Sequence, residues 1–255
     1  MLSDTTWRKV HRRSGTSAIL ASTLLALACH APADQTSDAG ASSAIDGDAC
    51  HAPKGVSNAP HTIAQARQLL NALPKPVSVA CFVEALAHPL ALQAVDSTFS
   101  AQPADGKRSP RVFIFGDGLT LSVALDGPGA QLLEFGEARP NDNSLKAELE
   151  FPIDTKLNEA DPYKRLPFDD TITTCGFCHV GEQLDPTINS PNAVISPALR
   201  PTPDQRIPLS TLQHEFLTCD PATEPARCAL LNALFQGGDP IEHEFPATYA
   251  TFLVE

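Results

Sequence analysis

Cys175-Gly176-Phe177-Cys178-His179 places two thiols and an imidazole within five consecutive residues. Cysteines at this spacing serve three chemistries: covalent attachment of haem c, a thiol–disulfide centre, and one half of a zinc site. Zinc needs a second ligand pair, and Cys219 and Cys228 have eight residues between them, a poor chelating loop. A thiol–disulfide centre stands at the end of a buried apolar strand with a proline facing it. The residues ahead of Cys175, PFDDTITT, form no such strand, and Ile207-Pro208 leads into LSTLQHEF, which reads as helix. Haem c uses all three side chains, since the cysteines meet the two vinyl groups and the next residue turns toward the iron. Random placement of this composition would produce the pattern about 0.006 times per chain, so the spacing is signal.

Through Cys175, Cys178 and His179 the chain resembles the c-type cytochromes. The resemblance covers five of 255 residues. It implies one covalent haem c, with His179 as an iron ligand, and electron transfer to a redox partner protein. Two features depart from ordinary members. The one methionine is Met1, which leaves with a signal segment, so a methionine ligand is excluded from the mature chain. The motif also lies behind a long β-rich region. A single motif allows a single haem c.

A second iron ligand must then come from elsewhere, and six histidines remain in the mature chain besides His179: His30, His51, His61, His88, His214 and His243. His30 and His51 fall in a polar tether and His61 at a helix start. His214 lies well round from the apolar stripe of its helix, and His88 precedes Pro89 at a strand edge. In PIEHEF an extended chain puts Ile241, His243 and Phe245 on one face. His243 is therefore the expected non-methionine ligand, with a half-buried histidine of no iron-binding role as the alternative. An open distal position would instead make a haem enzyme or a gas sensor. A Cys175–Cys178 disulfide would make a thiol–disulfide or structural lipoprotein without haem.

The elements around the motif divide the chain into four stretches. Residues 1–28 read as a lipoprotein-type signal, with Arg8, Lys9, Arg12 and Arg13 before the apolar run SAILASTLLALA. LALAC resembles a bacterial lipobox and implies acylation of Cys29, hence a periplasmic protein anchored to a membrane, with His30 favouring the outer one. A plain secretory signal is the alternative. Residues 29–56 are Ala, Ser, Asp, Gly and Pro with few large apolar side chains, a tether. Cleavage would remove four basic and one acidic residue and take the formal net charge from −12 to −15. That charge argues against nucleic-acid binding and for a redox partner with a basic docking face.

The fold class expected is α+β. Residues 57–152 form a helix over His61–Leu73 and then, from Val77, an antiparallel meander or sandwich. RVFIF reads as a central strand apolar on both faces, LTLSVAL and QLLEF follow across Gly turns, and KAELEF alternates Ala147, Leu149 and Phe151 against Lys146, Glu148 and Glu150. Residues 153–255 form the helical and irregular haem-bearing region, with one strand at NAVIS and helices from Leu209 and Glu224. Lys164, Arg165, Arg200 and Arg206 read first as solvated surface charge, with contact to haem propionates as the alternative, and Asp169-Asp170 reads as a turn or cap. With Cys29 acylated and Cys175 and Cys178 on haem, four cysteines remain, an even number in an exported chain. Cys50 with Cys81 and Cys219 with Cys228 is the economical pairing, each closing a local loop, although two other connectivities stay open.

Overall fold

A computed structural model describes residues 50–96, 102–104 and 106–251. The signal, Cys29, His30 and most of the tether lie outside the described residues.

Thr62 opens helix α1 (Ile63–Ala72) by accepting the Gln65 amide at 3.1 Å, while the Gln65 side chain accepts the His61 amide at 2.7 Å. Two otherwise orphaned donors are thereby satisfied. The helix buries Ile63, Ala66, Leu69 and Leu70. A second helix, α2 (Val79–Glu84), stands where the sequence suggests the beginning of period-two texture. Ser78 caps it through the Cys81 amide at 3.1 Å. Val79, Phe82 and Val83 are buried at helical spacing, but six residues are too few for that stripe to repeat and so announce itself.

Five strands then run as an antiparallel meander: β1 (Ala91–Val95), β2 (Arg111–Phe115), β3 (Leu119–Ala124), β4 (Leu132–Arg139) and β5 (Asn143–Glu150). The C-terminal region adds β6 (Gln183–Leu184), β7 (Val194–Pro197), β8 (Leu199–Arg200), β9 (Arg206–Ile207), β10 (Ile241–Glu242) and β11 (Ala250–Thr251). β7 continues the sheet beyond β5 and β6 follows it, while β10, parallel, and β9, antiparallel, share the free edge of β1. One nine-stranded mixed sheet results, and β8 pairs separately with β11. Helices α3 (Leu209–Thr218) and α4 (Pro225–Phe235) form where expected, α4 with Pro225 in its first turn.

The class is α+β, as the alternation of helical and period-two patterns implied. Helices, rather than a second sheet, close the core. On one face of the meander Leu92, Ile114, Leu121, Phe135 and Ala147 line up across β1 to β5 by register. They share a buried cluster with Leu69, Leu70, Phe82, Leu231 and Leu234 from the helices. Both economical cysteine pairs are joined: Cys50 with Cys81, Cα atoms 4.9 Å apart, and Cys219 with Cys228, 5.6 Å apart. Arg227, at the start of α4 and only 2% exposed, is held by Asp126 at 2.9 Å and Glu215 at 2.7 Å.

Candidate functional site

The opposite face of the same sheet carries a different composition. Register lines up Gln93, Phe113, Ser122, Glu134 and Glu148 in one row, and Ala91, Phe115, Thr120, Gly136 and Lys146 in the next. RVFIF is thus not apolar on two buried faces: Val112 and Ile114 enter the core, whereas Phe113 and Phe115 are half-buried on this polar side. Lys146 and Glu148, polar by alternation, are buried too. Alternation in a sequence says which side a residue takes but not whether another segment covers that side.

That segment includes the motif. Leu166 accepts the Thr174 amide at 2.8 Å, and Asp169 caps its own turn by accepting from Thr171 and Ile172. The Asp169 carboxyl is held below its usual range by those bonds from Thr171 and Ile172. Thr173 then opens a single 3-10 turn, Thr174–Phe177, with its hydroxyl accepting the Cys175 amide at 3.1 Å. The Glu182 carboxylate accepts the Thr173 amide at 3.1 Å and also the Thr173 hydroxyl. The amides of Cys178 and His179 both donate to the Cys175 carbonyl, at 3.1 and 2.8 Å. Gly176 is required here, because a Cβ would lie 2.5 Å from Ile172 Cγ1 and 2.7 Å from Glu182 Oε2.

Cys175, Cys178 and His179 all line a cavity of about 580 Å³, within the usual range for small-molecule and cofactor sites. The His179 ring nitrogen Nδ1 lies 2.7 Å from the Pro197 carbonyl on β7. That carbonyl accepts only, so Nδ1 carries the proton and Nε2 keeps its lone pair, the arrangement of a metal-ligating imidazole. Burial, with Lys146 second, lowers the His179 pKa to about 3, so the ring is neutral at physiological pH. Burial pushes the Cys175 thiol up to about 12, with Glu134 adding to it, and raises the Cys178 thiol as well. Both cysteines are free. Thiols in this state are poor exchange nucleophiles, and the Cys219–Cys228 disulfide removes those two as a second zinc pair.

His243 lines the same cavity. Its amide donates to the Leu92 carbonyl at 2.9 Å, just past the parallel pairing of β10 with β1. Its ring lies 4.5 Å from that of Phe115, and Phe245 meets Phe113 and Phe115 edge to face at 4.9 and 4.8 Å. Among the described histidines only His179 and His243 border this cavity. His88 sits instead in a separate space of about 360 Å³ with His51 and Glu84, its ring against Gly237. His61 Nδ1 meets the Asp117 carbonyl at 2.9 Å, and His214 faces neither cavity.

Of the four cations considered for propionates, Arg200 borders the cavity, its Nε donating to the Tyr249 carbonyl at 2.9 Å. Lys164 pairs with Asp161, Arg165 with Glu148 and Arg206 with Glu244. Sequence reasoning missed two others, Arg111 and Lys146. Arg111 binds Glu134, donates to Ser122 at 2.8 Å and covers the Phe113 ring at 4.7 Å. Lys146 Nζ donates to Ser144 at 2.6 Å, and burial lowers its pKa to about 8. Nothing in an alternating strand announces that its outward lysine lies under a cofactor-sized space.

Among the described residues the fold and site define an α+β protein whose main sheet is closed on one face by helices and open on the other to a cavity bordered by His179, His243 and the free Cys175 and Cys178. Searched against family models, curated proteins and solved structures, the chain matches none. Among the described residues no helix is long and apolar enough to cross a membrane.

Proposed function

We propose that the protein is an exported, lipid-anchored monohaem c-type cytochrome that transfers electrons, with His179 and His243 as the iron ligands. The observation that carries this reading is convergence. Cys175, Cys178 and His179 share one cavity with His243, 64 residues further along, although sequence separation does nothing to bring them together. Haem c, when bound, supplies a one-electron iron couple. Cys175 and Cys178 would hold it through thioether bonds, each S–H adding across one vinyl group of the haem precursor to give one S–C and one C–H bond with no oxidant required. His179 offers Nε2, oriented by its bond to Pro197. Arg200, Arg111 and Lys146 border the same space and offer charge to the propionates. Phe113, Phe115 and Phe245 give the cavity an apolar wall that would exclude water from a bound group. The lipid anchor on Cys29 and a periplasmic site, with the outer membrane favoured, rest on LALAC and the signal-like segment before it.

A haem enzyme or gas sensor with an open iron position is the second reading. It draws on the exposure of His243, which is held mainly by its strand and by Phe115. The deciding experiment is expression in a periplasm able to attach haem, followed by denaturation and peptide mapping. Haem mass on the peptide carrying Cys175 and Cys178 is the expected result. Free thiols or a 175–178 disulfide in a haem-competent host would end both haem readings and leave the thiol–disulfide or structural lipoprotein.

A further inference from the structure

We infer that the outer face of the motif turn is a docking surface for a redox partner protein that presents a cationic rim around an apolar centre. This inference rests on the haem reading and names the surface through which it operates. Six large apolar side chains stand exposed among the described residues. Four of them belong to one segment: Phe168 at 62%, Phe177 at 58%, Val180 at 74% and Leu184 at 59%. Scattered exposed apolar groups need no explanation, but a cluster of them around a chemical site does.

These four are not side chains waiting to cover a cofactor. None borders the cavity, whereas Cys175, Cys178 and His179, interleaved with them in the chain, do. The segment 168–184 therefore alternates between side chains that line the cavity and apolar side chains exposed to solvent. Phe168 and Phe177 meet edge to face with centroids 4.8 Å apart, which joins the preceding loop to the motif in one surface.

Charge selects the occupant. From Leu166 to Leu199 the chain holds Asp169, Asp170, Glu182 and Asp185 and no lysine or arginine. Asp185 is paired with Arg139, and Glu182 is engaged by Thr173. Asp169 and Asp170, both exposed beside Phe168, carry the outward negative field. An anionic lipid surface is repelled by such a rim. A second copy of this chain, with the same rim and a formal charge of −12, is repelled as well. A cationic rim is steered in, and an apolar centre is then desolvated against the two phenylalanines. One electron crosses at this contact to an oxidised partner centre, with no bond made or broken.

The test uses the full-length holoprotein, with covalent haem scored first. Stopped-flow oxidation of the reduced protein at about 0.01 M ionic strength, where the Debye length is about 30 Å, compares two oxidants. Tris(phenanthroline)cobalt(III) is an apolar trication, and hexacyanoferrate(III) is a hydrophilic trianion. Asp170→Lys/Gln183→Lys should slow the trication about 10-fold and speed the trianion, as expected for reversed steering. Phe168→Ser/Val180→Ser should slow the trication alone. Binding is read separately through paramagnetic broadening of amide resonances by the redox-inert chromium(III) analogue, which should centre on residues 168–184. Rates that ignore both variants, or broadening centred elsewhere, would overturn the docking surface while leaving the haem reading intact. A dimer in sedimentation that Phe168→Ser/Val180→Ser dissolves would also overturn it, giving the patch to a second copy. Absence of covalent haem removes the haem reading itself and this inference with it.

Discussion

The two faces of the sheet are built from the same strands and differ in nearly everything else. On the helix-covered face, apolar side chains from β1 to β5 meet those of α1, α2 and α4 and are almost fully buried. On the other side, Arg111, Arg200, Lys146, Glu134, Glu148 and several aromatic rings are among the groups that border an opening of about 580 Å³. The first face is arranged for stability, since close-packed apolar surface is the main favourable term in folding. The second gives some of that up, because Lys146 is buried with a serine as its hydrogen-bond partner. Burial of an amine beside a cavity is the kind of cost a candidate site imposes on a fold. Changes on the two faces should therefore have separable effects, one on stability and one on chemistry.

The largest expected effect is on the chemical face. Cys175→Ala/Cys178→Ala should abolish covalent haem completely while circular dichroism keeps its native shape. Haem that survives denaturation in this variant would mean attachment elsewhere. Next, Leu70→Ala on the core face should cost about 2–5 kcal/mol in urea unfolding and leave the haem spectrum of the folded protein unchanged. A shifted spectrum would break the separation of the faces.

Lys146→Met tests what burial of the amine costs, and is best measured in the haem-free Cys175→Ala/Cys178→Ala background. The folded pKa is lowered from 10.5 to about 8, so between these values the unfolded chain binds more protons and stability rises with pH. Below about pH 8 the destabilisation is fully present, about 3 kcal/mol by linkage. The methionine variant should exceed its parent most at pH 7, and the margin should shrink as the pH climbs from 8 toward 10.5. A margin that stays constant with pH would show that the amine is not the cause. The smallest change in stability, yet a visible one in colour, is expected of His243→Ala, which should turn a low-spin ferric spectrum high-spin and admit small ligands. An unchanged low-spin spectrum would remove His243 as ligand. A wild type that is already high-spin would instead favour the enzyme or sensor.

The closed face was largely legible in the sequence. Helical spacing marks α1, α3 and α4, and alternation marks β3 and β5, because burial on one side leaves its period in the chain, whereas the apolar run of β2 hid which of its faces is the core. Helix α2 was hidden by its length, and β6, β8, β9, β10 and β11 are two-residue strands with no period to read. Their pairing is decided by where longer strands already lie. Of the candidate site, Cys175, Cys178 and His179 can be picked out in the sequence because their types and spacing are local, and the structure places all three on one cavity. His243 could be reached only through its alternation with Ile241 and Phe245. Arg111 and Lys146 were beyond reach, since what matters for them is a segment tens of residues away that folds across their strand.

Gly176 and Phe177 fill the two unspecified places of the motif, yet they carry unequal amounts of information. At 176 glycine is favoured, because a Cβ would make the side chains of Ile172 and Glu182 shift and so disturb the bond that Glu182 accepts from the threonine that opens the turn. At 177 the side chain projects outward and almost any residue can be accommodated. A saturation library across this turn should return mainly glycine at the first place and a broad spectrum at the second. Chains that share the architecture should thus be sought with Cys-Gly-any-Cys-His, an isoleucine four places before the glycine and a carboxylate six places after it.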